Sequence, residues 1–155
     1  MAINCIVNSH NEWDPLEEVI VGIIDGACWQ SWEKSFVALT PPEDLKATQA
    51  QCRANGGKPM PKSLVERARK DLDRFVHVLK VEGVVVRCPD PIDNTKPYST
   101  PDWQSKSGYC QKDPRDVLMV FGDHIIESTM SWKCRYFEFR AYRSLVKEYF
   151  KKGAR

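Results

Sequence analysis

The residues with most chemical promise lie between Asp113 and Trp132, in the stretch Asp-Pro-Arg-Asp-Val-Leu-Met-Val-Phe-Gly-Asp-His-Ile-Ile-Glu-Ser-Thr-Met-Ser-Trp. A proline-led turn sets Arg115 and Asp116 at the mouth of Val117 to Phe121, an apolar run with the length and β-branched content of a buried strand. Gly122 and Asp123 turn the chain, and His124 to Glu127 gives a second short extended run. The unit reads as a hairpin with a carboxylate at its entry. Asp116 in that position could hold something cationic. The alternative is an Asp that only caps the turn.

The other chemically capable residues are less organised. Six cysteines (Cys5, Cys28, Cys52, Cys88, Cys110, Cys134) are widely spaced, with no C-x-x-C, which points to free thiols rather than a disulfide framework. His10, His77 and His124 pair with no nearby Cys or carboxylate at metal-ligand spacing, so no metal site is expected. The net charge of +2 is uneven. Eight Lys/Arg against Glu138 and Glu148 make residues 133–155 a basic stripe, whereas Met1 to Trp132 is acidic. The stripe is either a solvated helix face with cations toward its C-terminus or a surface for an anionic partner.

These residues must be carried by a fold. At 155 residues, 42% of them hydrophobic, the chain is long enough for one domain with a true core. The apolar runs around Val19 to Ile24 and Val84 to Val86 are far below the roughly 20 residues of a membrane span. Met-Ala-Ile-Asn-Cys lacks the features of a signal peptide, so the cytoplasm is the expected compartment. Turn residues from Asn11 to Pro15 lead into a core strand at about Glu18 to Ile23, and Trp13 is read as packing against its end. A long irregular excursion covers about 25–61, with a short helix near Pro42 to Ala54. Ser63 to Glu82 is the clearest helix: Leu64, Ala68, Leu72, Phe75, Val76 and Leu79 share one face, Ser63 and Glu66 suggest a capping box, and Gly83 stops it. Val84 to Arg87 follows as a strand, completing a strand–helix–strand unit whose strands would pair in parallel. After another irregular segment and the hairpin, a second helix is expected at about Arg135 to Lys152. The class is therefore α/β.

Four ordered blocks carry a resemblance. The first is Asn8-Ser9-His10-Asn11-Glu12-Trp13-Asp14-Pro15-Leu16-Glu17-Glu18-Val19-Ile20-Val21-Gly22. The second runs from Glu82-Gly83-Val84 through Arg87 into Pro89-Asp90-Pro91-Ile92-Asp93, and the third is Pro114-Arg115-Asp116. The fourth is Arg135 through Gly153, centred on Phe137-Glu138-Phe139-Arg140-Ala141-Tyr142-Arg143-Ser144. Together they resemble the arginine:glycine amidinotransferase family over nearly the whole chain, most of all its saxitoxin-biosynthesis branch. The resemblance implies the N-terminal part of a pentein-type five-bladed α/β propeller, without metal or cofactor. It implies transfer of the amidino group of arginine to an amine such as glycine or a toxin precursor, through an amidino-cysteine with a histidine as acid and base. Asp116 falls on the family's arginine-binding aspartate. The family's nucleophilic cysteine and catalytic histidine fall beyond Arg155, so residues 1–155 are expected to be a partial domain, inactive alone, with a homodimer possible for the longer enzyme. No nucleic-acid or membrane partner is implied. The rival readings are a deiminase-like guanidine hydrolase of the same class and a non-catalytic anion-binding module using a basic helix at 133–155.

Overall fold

The computed structural model describes residues 5–155. Its first strand, β1 (Glu18–Ile20), pairs in parallel with β2 (Val85–Arg87), in the register Glu18 with Val85, Val19 with Val86 and Ile20 with Arg87. The predicted parallel pair is therefore present. The first strand is shorter than expected, since beyond Val21 the chain leaves β2 and Ile23 bridges Gln111 instead. Between the two strands lie three helices: one turn, α1 (Phe36–Leu39), then α2 (Pro42–Asn55) and α3 (Lys62–Val81). The irregular excursion is thus largely helical in its second half; its two ends are bridged through Cys28 and Pro59, and Cys28 N–H ties it to the Tyr109 carbonyl.

The long helix α3 follows the sequence pattern with two differences. Leu64, Val65, Ala68, Leu72, Val76 and Leu79 are half-buried along one side, and Val65, Ala68 and Leu72 pack on the Ile24, Ala27 and Cys110 cluster, but Phe75 points to solvent. The expected capping box is not formed. Pro61 stands at the N-cap and no side chain caps the helix, because a proline there already fixes the extended φ that the entry needs. At the other end Gly83, at φ +84°, takes the left-handed conformation; Val84 N–H donates to the Leu79 carbonyl and Gly83 N–H to that of Lys80. This is a Schellman stop, and it delivers the chain directly into β2.

Two short antiparallel pairs complete the sheet structure. Strands β3 (Tyr98–Ser99) and β4 (Gln104–Ser105) pair within the second irregular segment. After the one-turn helix α4 (Pro114–Val117), strands β5 (Leu118–Phe121) and β6 (His124–Glu127) form the predicted hairpin, turning through Gly122 at φ +58°. The apolar run from Val117 is not a buried strand throughout: Val117 and Leu118 are buried, but Met119, Val120 and Phe121 are exposed, because nothing in the described residues covers the outer face of the hairpin. Trp13, read as packing, is 84% exposed for the same reason.

The second predicted helix is also divided. Residues Lys133–Arg135 and Glu138–Tyr142 form two 3-10 turns, and only Arg143–Lys151 is α-helical (α5). The tighter turns bury Cys134, Arg135, Glu138, Phe139, Ala141 and Tyr142, more of the surface than one face of an α-helix could. Val117, Leu118, Phe139, Ala141 and Tyr142 make the core behind the hairpin, and Leu145, Tyr149, Val7 and Ala154 continue it under α5. The fold is mixed α/β. None of its described helices is long and apolar enough to cross a membrane.

Candidate functional site

Asp116 is placed by the short helix α4. Pro114 fits its first turn, Asp116 N–H donates to the Asp113 carbonyl at 3.2 Å, and Ser128 N–H holds the Val117 carbonyl at 2.9 Å. The approach to Asp113 is anchored from below. Gln111 and Asn94 are buried and exchange side-chain amide hydrogen bonds (2.9 and 3.4 Å), and the Tyr142 hydroxyl donates to the Gln111 carbonyl at 2.8 Å. Each buried amide is satisfied, so the loop that presents the carboxylates is held in one arrangement.

The Asp116 side chain does not cap the turn. Its Oδ2 accepts a hydrogen bond from Arg135 Nη1 at 2.8 Å, no hydrogen bond from the described residues ends on Oδ1, and the side chain is 41% exposed. Arg135 is 4% exposed, as is Glu138. Glu138 takes the other edge of the guanidinium, with Nε to Oε2 at 2.5 Å and Nη2 to Oε1 at 3.0 Å, a two-pronged match between planar donors and a carboxylate. Asp113 Oδ2 lies 3.9 Å from Arg135 Nη2, while Lys112 Nζ binds the same carboxylate at 2.7 and 2.9 Å. Tyr109 and Trp132 lie beside the guanidinium, their ring centroids 5.6 and 5.9 Å from its carbon.

Burial works against the charges of Arg135 and Glu138, and the pairing decides how each responds. Desolvation alone would lower the Arg135 guanidinium, but the hydrogen bonds and charge of Glu138, with Asp116 behind them, hold it above its ordinary value. Burial pushes the Glu138 carboxyl up against the pull of Arg135, and the nearby charges of Asp113 and Asp116 add to that. Tyr109 is pushed up to about 12, mainly by burial, and stays a neutral phenol.

Arg135 and Glu138 were not separable from the basic stripe by charge counting. Their signal in the sequence is spacing and surroundings: opposite charges three apart, within the aromatic-rich run Trp132 to Phe139. The stripe is accordingly weaker as an anion surface than a count suggests. Arg135 is internal, Arg140 and Arg143 stack on Phe137 and Phe139, Lys152 pairs with Glu148 at 2.7 Å and Arg155 with Asp123 at 3.5 Å. There is no single helix at 133–155 to present them.

The other predicted candidates are scattered. Arg115 reaches away to pair with Glu12 at 3.0 Å on the surface. His124 Nδ1 lies 2.7 Å from the carboxylate of its neighbour Asp123, where the hairpin turn brings the two side chains together. His10 shares a shallow cavity of about 690 Å³ with His124 and Asp123 at the hairpin tip, and His77 lies exposed on α3. No group of three His, Cys, Asp or Glu that could hold a metal occurs among the described residues. All six cysteines are free thiols.

The chain is similar to known amidinotransferases over nearly its whole length. The chain is 44% identical over 149 residues to the L-arginine:L-lysine amidinotransferase of Pseudomonas savastanoi pv. phaseolicola, an alignment that covers 96% of this chain and 40% of that protein. It is 45% identical over 154 residues to the mitochondrial glycine amidinotransferase of Danio rerio, covering 99% of this chain and 35% of that one. This chain is homologous to the glycine amidinotransferases. Among solved structures it superposes on SxtG, an amidinotransferase of the saxitoxin biosynthetic pathway of Microseira wollei, with a TM-score of 0.90 and 47% identity over 96% of this chain and 42% of that one. It matches the inosamine-phosphate amidinotransferase StrB1 of Streptomyces griseus with a TM-score of 0.82 and 35% identity, over 97% of this chain and 42% of that one. The chain spans about two fifths of the length of these amidinotransferase homologues. No family model matches it.

Proposed function

We propose that this chain is part of an enzyme that moves the amidino group of arginine to an amine, with Asp116 holding the arginine guanidinium. The observation that carries the reading is the Asp116 carboxylate itself, in the Pro114-Arg115-Asp116 block that carries the resemblance: one oxygen is fixed by Arg135, the other takes no hydrogen bond from the described residues, and the side chain is partly exposed. A guanidinium offers planar paired donors that suit such an oxygen. The chain would form part of a five-bladed α/β propeller, working in the cytoplasm as a homodimer without metal or cofactor.

In this reading a cysteine thiolate attacks the guanidinium carbon and ornithine leaves, its δ-nitrogen taking a proton from a histidine. The amidino group stays on sulfur. The acceptor amine then attacks the same carbon, gives up a proton to that histidine and releases the thiolate. The cysteine and histidine would lie outside residues 1–155. Four of the six thiols present support that placement: burial pushes Cys110 and Cys134 up to about 12 and raises Cys28 and Cys52, the reverse of what a nucleophile needs. Glycine, lysine or a toxin precursor are the candidate acceptors.

The test uses the protein at the full length its gene encodes, supplied with L-arginine and each candidate amine. Ornithine release that depends on the amine is the expected result. Citrulline formed with water alone would favour the hydrolase reading instead. Asp116→Ala in that protein should weaken arginine binding by about 1.5 to 3 kcal/mol, the range for a hydrogen bond to a charged group; an unchanged affinity would remove Asp116 from the site.

A further inference from the structure

Arg135 raises a difficulty for Asp116 as a guanidinium site, since a carboxylate already paired with one guanidinium should attract a second only weakly. The arrangement around Arg135 resolves it. Glu138 grips two of the three guanidinium nitrogens, Nε and Nη2, and is itself buried, so its charge is spent almost entirely on Arg135. Lys112 likewise engages Asp113 through both of its oxygens. With Arg135 set against Glu138 and Lys112 against Asp113, the charge of Asp116 is the one left over.

We infer that Arg135 and Glu138 act as a positioning pair for Asp116: Glu138 cancels the charge of Arg135, so that Arg135 fixes one Asp116 oxygen without neutralising the carboxylate for a bound guanidinium. The inference rests on the reading of Asp116 as the arginine site. Three features support it beyond the distances. The pair is buried while Asp116 is partly exposed, so the pair is screened less than its client. Tyr109 and Trp132, packed edge to face, line one side of the guanidinium and close that side to water. Finally, Arg135 closes one 3-10 turn and Glu138 opens the next, so both partners are held on ordered backbone three residues apart. A merely structural ion pair would not need its cation shared with an accessible carboxylate.

The experiment measures L-arginine affinity by calorimetry in the full-length protein, with circular dichroism and thermal midpoint recorded for every variant. Glu138→Gln leaves Arg135 uncompensated, so Asp116 becomes its counter-ion; arginine should bind about tenfold more weakly or worse. Glu138→Asp keeps the charge and should recover most of that loss. The double replacement Arg135→Met with Glu138→Leu removes both charges together, a change that buried pairs often tolerate. It should bind arginine several-fold more weakly than the parent, through lost ordering of Asp116, yet more tightly than Glu138→Gln. Should Glu138→Gln not fold, the double variant still decides: parent-like affinity overturns the inference. Equal losses in Glu138→Gln and Glu138→Asp also overturn it, since the effect would then follow shape and not charge. Asp116→Asn is measured alongside. If it abolishes binding while Glu138→Gln keeps parent-like affinity, the positioning pair fails and the Asp116 site stands; if neither changes affinity, both fail.

Discussion

Cysteine offers the simplest residue-scale prediction. Cys88 is exposed, whereas Cys28, Cys52, Cys110 and Cys134 are buried. A chromogenic thiol reagent should therefore titrate Cys88 first in the native protein and reach those four only on unfolding; prompt reaction of Cys110 or Cys134 would contradict the packing. The place of Asp116, in a turn at the entry of a strand, was legible because Pro114 and the apolar run from Val117 both marked it. Arg135 and Glu138 escaped because charge counting treats every cation as solvated, and only the fold shows which one has been drawn inside among Tyr109 and Trp132. Trp13 failed in the opposite sense. An indole was assumed to pack, yet it lies beside Asn11 and Asp14, whose local hydrogen bonds hold a surface turn.

At the level of elements, Arg87 ties the parallel pair to α5: it binds Glu148 through both oxygens (2.5 and 3.2 Å) and lies 3.6 Å from Glu18, to which Tyr149 also donates. Hydrogen bonds from Arg87, then Lys152, draw the Glu148 carboxyl down to about 2. A folded-state value below the unfolded one means that Glu148 contributes stability above the ordinary carboxylate range, near pH 4.5, and that this contribution fades as pH falls toward 2. In denaturant titrations between pH 5 and 3, Glu148→Gln should lose less stability than the parent as acid is added; parallel losses would refute the assignment. Gly83 makes a sharper case. Nothing lies within 4 Å of where a Cβ would stand, so Gly83→Ala should cost only the left-handed backbone, about 1 kcal/mol by chemical denaturation. The helix α3, its glycine stop and the parallel strands were readable from periodicity and punctuation. The 3-10 turns were not, because Arg135 to Tyr149 has an apolar pattern that an α-helix also fits, and the choice falls to the buried charge pair.

For the molecule as a whole, the main unfinished business is apolar surface. Met119 and Ile126 are paired across the hairpin and both exposed, and Phe121 on the same side is 72% exposed. Patches of that kind associate in water. The 155-residue polypeptide by itself should sediment as more than a monomer, and Phe121→Lys should shift it toward the monomer; a monomeric parent would contradict this. The α/β class could be read from the sequence, but the bare hairpin face could not, since a strand's neighbours are set by what packs on it and not by its own residues. The same hairpin has a mechanical consequence. Ser9 exchanges two backbone hydrogen bonds with Gly122, while Arg155 donates to Asp123 and accepts from Ile125. Both ends of the described chain are thus clasped to one turn, and a tether pulled between them would strain these few bonds, with the packing of Val7 and Ala154 beside them, before any tension reached Asp116. The turn acts as a clip: its rupture force would be the first event in a pulling trace, and the site behind it would stay folded while the ends come away.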